Sequence, residues 1–233
     1  MKTTPDLSES LVPLERVAKF IRQFTHDVRN GLSAMDLEAA FIAELVTDPE
    51  SLDELRKLRG MVSSTAKGLR ELSYRFQPVT AHAMPWQAAM IFQELRERVP
   101  RHFAEELQAG PFLVDSCLSD EVIHVDLEQI VCAIFHVLRN AFQFRRTGER
   151  VWLSAYRQDL RVVFEVSESK PGFESQIPLD DWGIEPLVTT RSGGYGLGLF
   201  RTRRILEAHG GEFEVVYEDG VLKARLLLPL CAG

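Results

Sequence analysis

A histidine, a carboxylate and an amide stand within one and a half helical turns in FTHDVRNGLSAM, residues 24–35: His26, Asp27 and Asn30. An imidazole is a nucleophile when one ring nitrogen is free, and a neighbouring carboxylate favours that state by accepting the proton of the other. An amide four residues further on shares the same helical face and could orient a water or a transferring group. The plain alternative for His26 is a solvated surface histidine. The trio does chemistry only if the chain also supplies a group to transfer. TTRSGGYGLGLF, residues 189–200, places Gly193, Gly194, Gly196 and Gly198 ahead of a helix. Glycines permit close backbone approach, and N–H groups at a helix start bind anions such as phosphate. No Gly-Lys-Ser/Thr follows, so this is not a P-loop. No strand leads directly into it, as a dinucleotide fingerprint requires. In HVLRNAF, residues 136–142, Asn140 puts an amide on a helix of buried type. It is either bonded to backbone or a ligand for Mg2+, with phosphate oxygens and waters completing the shell. VSESKPGF, residues 166–173, ends a strand. There Glu168 can accept from an amino group, and Gly172 leaves room for a ligand.

The elements that must carry these residues fall into two parts. Leu14, Val17, Ile21, Phe24, Val28, Gly31, Met35, Glu38, Ile42 and Leu45 follow a heptad rhythm with lapses at Gly31 and Glu38. TDPES, residues 47–51, breaks that helix, and Pro49 suits the first turn of a second. Its stripe is Leu55, Leu58, Val62, Thr65, Leu69, Leu72 and Phe76. Two such helices predict a hairpin over residues 1–77. One hairpin buries little alone, so two should pair into a four-helix bundle, which predicts a homodimer. With Val28 at heptad position a, His26 falls at f, away from the seam, and Asp27 at g.

QPVTAHAMP, residues 77–85, interrupts the helical period and predicts a linker over 78–85. Beyond it, residues 86–233 mix helices and strands. Helices are expected at 86–98, 127–146 and 196–210. Strands are expected at 111–118, 121–126, 150–157, 160–168, 212–218 and 221–229, the last two joined by the turn Asp219-Gly220. This is an α+β pattern, a sheet covered on one face by helices.

Composition narrows the function. The 233 residues are 45% hydrophobic and 26% charged, enough for a buried core. A net charge of −7 argues against a general nucleic-acid binder. Cys117, Cys132 and Cys231 are odd in number and scattered, with neither a disulfide framework nor metal-ligand spacing. Reduced cytoplasmic thiols follow, and no stretch is apolar enough for a membrane span.

Taken together and in order, these segments resemble the transmitter core of a sensor histidine kinase of two-component signalling. Such a core is a dimerisation and histidine-phosphotransfer hairpin followed by a catalytic ATP-binding domain of the GHKL type. FTHDVRNGLSAM resembles the H box and DLEQIVCAIFHVLRNAFQF the N box. VSESKPGF resembles the first glycine box, and EPLVTTRSGGYGLGLFRTRRILEAHGG, residues 185–211, the F box and second glycine box. The resemblance spans residues 14–230. It implies that His26 takes the γ-phosphoryl group of ATP, with Asp27 as general base. Asn30 aligns with the residue that positions water when a response regulator is dephosphorylated. Asn140 would bind Mg2+, Glu168 the adenine, and Gly194, Gly196 and Gly198 the phosphates, beneath a lid of residues 174–193. The implied partners are a separate response regulator receiver domain, a second copy of the chain and a possible separate sensor subunit. Four positions depart from the pattern. Glu168 replaces an aspartate, which pushes the carboxylate about 1.5 Å further out. Lys170 replaces a glycine, His136 an asparagine, and Gly31 a common proline. Two other readings use the same residues: a phosphotransfer protein that relays phosphoryl groups without binding ATP, and an adaptor whose bundle docks a partner.

Overall fold

The computed structural model describes residues 13–146, 148–175, 177–189 and 195–231. It falls into two compact units divided between Pro78 and Val79.

The first unit is a pair of long helices, α1 (Leu14–Leu45) and α2 (Pro49–Arg75). The chain reverses at Asp48, whose carboxylate accepts from the Ser51 N–H at 2.9 Å while Pro49 opens the helix. The seam between the helices lies one residue away from the expected stripe on α1, whereas Leu55, Val62, Leu69 and Phe76 of the second stripe lie in it. On α1 it is formed by buried Ala18, Thr25 and Ala39, with half-buried Arg22, Arg29, Leu32, Asp36 and Ala43 between them. On α2 the facing row is Leu52, Leu55, Val62, Ala66, Leu69, Ser73 and Phe76. Small residues let the helices approach closely, and polar groups bridge what remains. Arg59 pairs with Asp36 at 2.8 Å, and Arg22 donates to the Phe76 carbonyl at 3.0 Å. Four members of the expected stripe, Phe24, Met35, Ile42 and Leu45, are instead exposed on the single chain, as are Leu58 and Met61 on α2.

The second unit is built on a five-stranded sheet in the order β2-β4-β5-β7-β6, comprising β2 (Phe112–Ser116), β4 (Val151–Gln158), β5 (Arg161–Ser169), β6 (Glu212–Glu218) and β7 (Val221–Pro229). Only β2 and β4 run parallel. A separate antiparallel pair joins β1 (Met84–Gln87) to β3 (Val122–Val125). Met84 and Pro85, expected in the linker, and Trp86 and Gln87, expected in a helix, are therefore in a strand. That helix, α3, runs over Ala88–His102. It passes the expected end at 98 because Pro100 lies in its last turn, where a missing N–H breaks one bond only. A short helix α4 (Ala104–Gln108) follows, then α5 (Leu127–Phe144) and α6 (Gly198–Ala208).

Alternation along the strands sorts the sheet into two faces. Leu153, Ala155, Phe164, Val166, Leu226 and Phe213 point to the helices and form one core with Ile91 and Leu95 of α3, Ile130, Ile134 and Leu138 of α5, and Ile205 and Leu206 of α6. The opposite face carries a polar network centred on Glu165, which accepts from Arg225 (2.8 Å), Ser167 (2.7 Å) and Tyr156 (3.0 Å). Burial alone would raise the Glu165 carboxyl; these three donors outweigh it and hold it below the ordinary range. Tyr156, half-buried beside that carboxylate, is pushed up to about 12. Among the described residues, no helix is long and apolar enough to cross a membrane.

Candidate functional site

On α1 the imidazole of His26 is exposed, and its described hydrogen bonds all use Nδ1. Asp27 Oδ1 lies 3.2 Å from Nδ1, and the Asn30 amide group lies 3.4 Å from the same nitrogen. Asp27 also accepts from Gln23 at 3.1 Å. The histidine, then Gln23, holds the Asp27 carboxyl below its ordinary value, so it is an ionised acceptor at neutral pH. An ionised acceptor at Nδ1 selects the tautomer with its proton there and leaves the lone pair on Nε2. Asn30 presents its Nδ2 to the same nitrogen, a donor that Nδ1 accepts from only in the other tautomer. The trio read from sequence is thus gathered around one ring nitrogen.

In the second unit α5 supplies the axis. His136, Asn140 and Phe144 follow one another at intervals of four and share a face, spanning about 12 Å at 1.5 Å per residue. At the His136 end stands the start of α6. A Cβ added to Gly198 would lie 3.9 Å from the His136 Cβ, and Thr202 of α6 donates to the Ala133 carbonyl of α5 at 3.3 Å. Among the described residues no side chain caps the first turn of α6, and N–H groups at a helix start suit an anion. Gly196, just ahead, has φ 60° and lies under the backbone of Leu187 and Val188, and the Leu187 N–H donates to the Gly196 carbonyl at 3.2 Å. Gly193 and Gly194 lie outside the described residues. Arg203 of α6 ties down the segment before them by donating to the carbonyls of Asp180 and Trp182.

At the Phe144 end lies Glu168. It pairs in register with Val151 and Leu222 on the helix-facing side of the sheet, which is why this acid is buried. Lys170 Nζ donates to its Oε1 at 2.7 Å, and both side chains are nearly enclosed, 12% and 6% exposed. The other oxygen, Oε2, is buried without a hydrogen-bond partner among the described residues. The ammonium sits over the rings of Phe144 (5.5 Å) and Phe173 (5.3 Å). Trp182 and Tyr217 stand edge-on to Phe173. Gly172 takes φ 69° in the turn that follows. Sequence reading singles out Glu168 and Gly172 but misses the aromatic surround. The available signal was Phe144, one helical turn beyond Asn140.

Burial raises the Glu168 carboxyl above its ordinary value; the lowering effect of Lys170 is outweighed, and Glu149 adds to the rise. The folded protein therefore holds this proton more tightly than the unfolded chain. Its contribution to stability is complete below the ordinary value of 4.5 and drains away as pH rises through the raised one. Glu168→Gln should remove that loss. Urea midpoints measured from pH 4.5 to 8 are expected to show the variant gaining on the parent as pH rises, and a gain in the reverse direction would refute the assignment.

Among the described residues no group of three or more His, Cys, Asp and Glu could hold a metal ion. Mg2+ beside phosphate takes one or two protein oxygens and keeps several waters. The half-buried Asn140 carboxamide fits such a role.

Among known proteins, the chain is similar to histidine kinases. Residues 125–230 match the family described as histidine kinase-, DNA gyrase B-, and HSP90-like ATPase. The sensor histidine kinase YclK of Bacillus subtilis is 26% identical over 97% of this chain and 50% of its own length. The sensory histidine kinase/phosphatase NtrB of Klebsiella oxytoca is 26% identical over 90% of this chain and 61% of its own length. The chain thus spans half to under two thirds of these relatives. Among solved structures, full-length ShkA in complex with AMPPNP aligns with a TM-score of 0.70 at 19% identity, over 92% of this chain and 46% of that one. The catalytic domain of the histidine kinase ThkA aligns at 0.53 and 18% identity, over 64% and 95%. Residues 125–230 are therefore similar to the histidine kinase-, DNA gyrase B- and HSP90-like ATPases, and with the helical hairpin ahead of them the chain resembles the corresponding part of the sensor histidine kinases it matches.

Proposed function

We propose that this chain is a protein-histidine kinase that transfers the γ-phosphoryl group of ATP to His26 and then to an aspartate on a separate response regulator. The observation that carries this reading is the His26–Asp27–Asn30 group, with one ring nitrogen engaged and the other open, in a chain whose residues 125–230 match an ATPase family. The helical hairpin, α1 and α2, accepts the group, and the unit that begins at Val79 holds the nucleotide.

In this scheme Asp27 holds the Nδ1 proton and Nε2 attacks the γ-phosphorus. A P–N bond forms as the bond to the β–γ bridging oxygen breaks, and ADP leaves. The ring gains positive charge as the bond forms, and the Asp27 carboxylate offsets it or accepts the Nδ1 proton. Little covalent help is needed, because such transfer depends on positioning and charge neutralisation. The N–H groups at the start of α6, with Gly194, Gly196 and Gly198, cradle the phosphates. Mg2+, when bound, neutralises phosphate charge, and Asn140 is the residue that would hold it. Glu168 and the turn at Gly172 face the base.

The exposed Phe20, Phe24, Met35, Ile42 and Leu45 form the surface through which two hairpins pair into a four-helix bundle. A receiver domain docks at His26, and a separate sensor subunit is the proposed source of the signal. Incubation with γ-labelled ATP and Mg2+ tests the scheme. Label that is stable to base, labile to acid and chased onto a receiver domain is expected. Absence of label would refute it.

A further inference from the structure

The nucleotide end of the second unit contains the parts of a purine site with a protein group already in it. Glu168 is a buried acceptor, and Phe144 and Phe173 are flat apolar rings beside it. What lies between them is the ammonium of Lys170, which donates to Glu168 Oε1 at 2.7 Å. We propose that Lys170 sets nucleotide affinity by occupying the place of a purine's exocyclic amino group on Glu168, so that a base enters only when this side chain swings out. The inference rests on the reading of this end as the base site.

Three observations carry it. First, an ammonium and an exocyclic amino group ask the same thing of a carboxylate, a donor in its plane, and the same thing of a ring, an electropositive edge over its face. Lys170 makes both contacts at once. Second, the pair is closed to solvent, and Glu168 Oε2 is buried with no partner among the described residues. A base cannot take Oε1 while the lysine holds it. Third, the backbone around Lys170 is pinned. Its N–H donates to the Gly220 carbonyl at 2.7 Å, and its carbonyl accepts from the Tyr217 hydroxyl at 2.9 Å and the Phe173 N–H at 3.1 Å. Displacement therefore falls to the flexible side chain. Its ammonium regains hydration outside while the base takes over the carboxylate and the rings.

The sign of one substitution separates this from simple electrostatics. A lysine that only attracts a polyanion would lower affinity when removed. A lysine that occupies the site would raise affinity when removed. Binding of adenosine, which carries no phosphate, and of AMPPNP with Mg2+ should be measured by calorimetry on the full chain. The proteins are the parent, Lys170→Gly and Lys170→Arg, with Lys170→Ala as a second small variant should the glycine form fail to fold. Release of one charge-assisted contact predicts about tenfold tighter adenosine binding in the small variants. Lys170→Arg, which keeps the occupant, should bind no more tightly than the parent. Equal or weaker adenosine binding by the small variants would overturn the proposal. AMPPNP bound equally by all would also overturn it, while leaving the nucleotide site intact. No AMPPNP bound by any of them would bring down both.

Discussion

His26→Ala is expected to abolish phosphoryl incorporation from ATP, a loss of at least ~10³-fold, without a measurable change in nucleotide binding or melting temperature. The nucleophile has no substitute nearby: the other polar side chains of the group are the Asp27 carboxylate and the Asn30 amide. Stability should not move, because the imidazole is exposed and surface changes of this kind stay within about 0.5 kcal/mol. Asp27→Asn gives a graded version. The amide lacks the charge that fixes the proton on Nδ1, and loss of such assistance costs on the order of 10²-fold or more. Phosphoryl incorporation and calorimetric nucleotide binding, measured side by side, check both variants. An Asp27→Asn protein as fast as the parent would show that the 3.2 Å contact does not set the tautomer.

Gly196→Ala should be nearly as damaging, for a different reason. At φ 60° an alanine is strained by roughly 1–2 kcal/mol. Its Cβ would also stand 2.5 Å from the Val188 carbonyl oxygen and 2.7 Å from the carbonyl carbons of Leu187 and Val188. These are backbone atoms and cannot turn aside, so the segment at 187–188 must move away from the start of α6. A displacement of about 1 Å at a phosphate-positioning segment costs on the order of 10²-fold in rate. The core around Ile134, Leu138 and Phe164 should keep the domain folded. Gly148→Ala is the control. It too has a positive φ, 83°, but its Cβ would meet nothing within 4 Å. It should show the strain alone, about 1 kcal/mol in a urea melt, with little loss of rate. Similar rate losses in the two variants would mean that crowding at Gly196 is not what matters.

The parts of the fold that sequence makes legible are those with a local cause. β6 and β7 occupy residues 212–218 and 221–229 as expected, because Asp219 and Gly220 both take positive φ, 51° and 78°, and so close a two-residue hairpin. α5 is legible because Asp126 caps it and its apolar positions keep one period. The seam is displaced by one residue on α1 because a row of small and polar residues lies beside the apolar stripe there. Spacing does not distinguish a row that meets its own hairpin partner from a row that is left outside. Close helix approach favours the row with Ala18, Thr25 and Ala39 over the bulkier Phe24 and Met35. β1 was missed because MPWQ has no alternation of its own and becomes a strand only against β3. At the site, His26, Asp27 and Asn30 were legible because helical spacing alone brings them together. The enclosure of Lys170 was not, because its partners Phe144, Glu168, Phe173 and Tyr217 come from three elements and the turn at 170–173. Long-range register, not local pattern, assembles them.

The most direct test of the account is to locate the phosphoryl group. After incubation with Mg·ATP, fragmentation mass spectrometry under non-acidic conditions should find one modified residue in the peptide containing residues 24–35, with the phosphoryl on His26. A phosphoryl group on any other residue of the chain, with His26 unmodified, would contradict it.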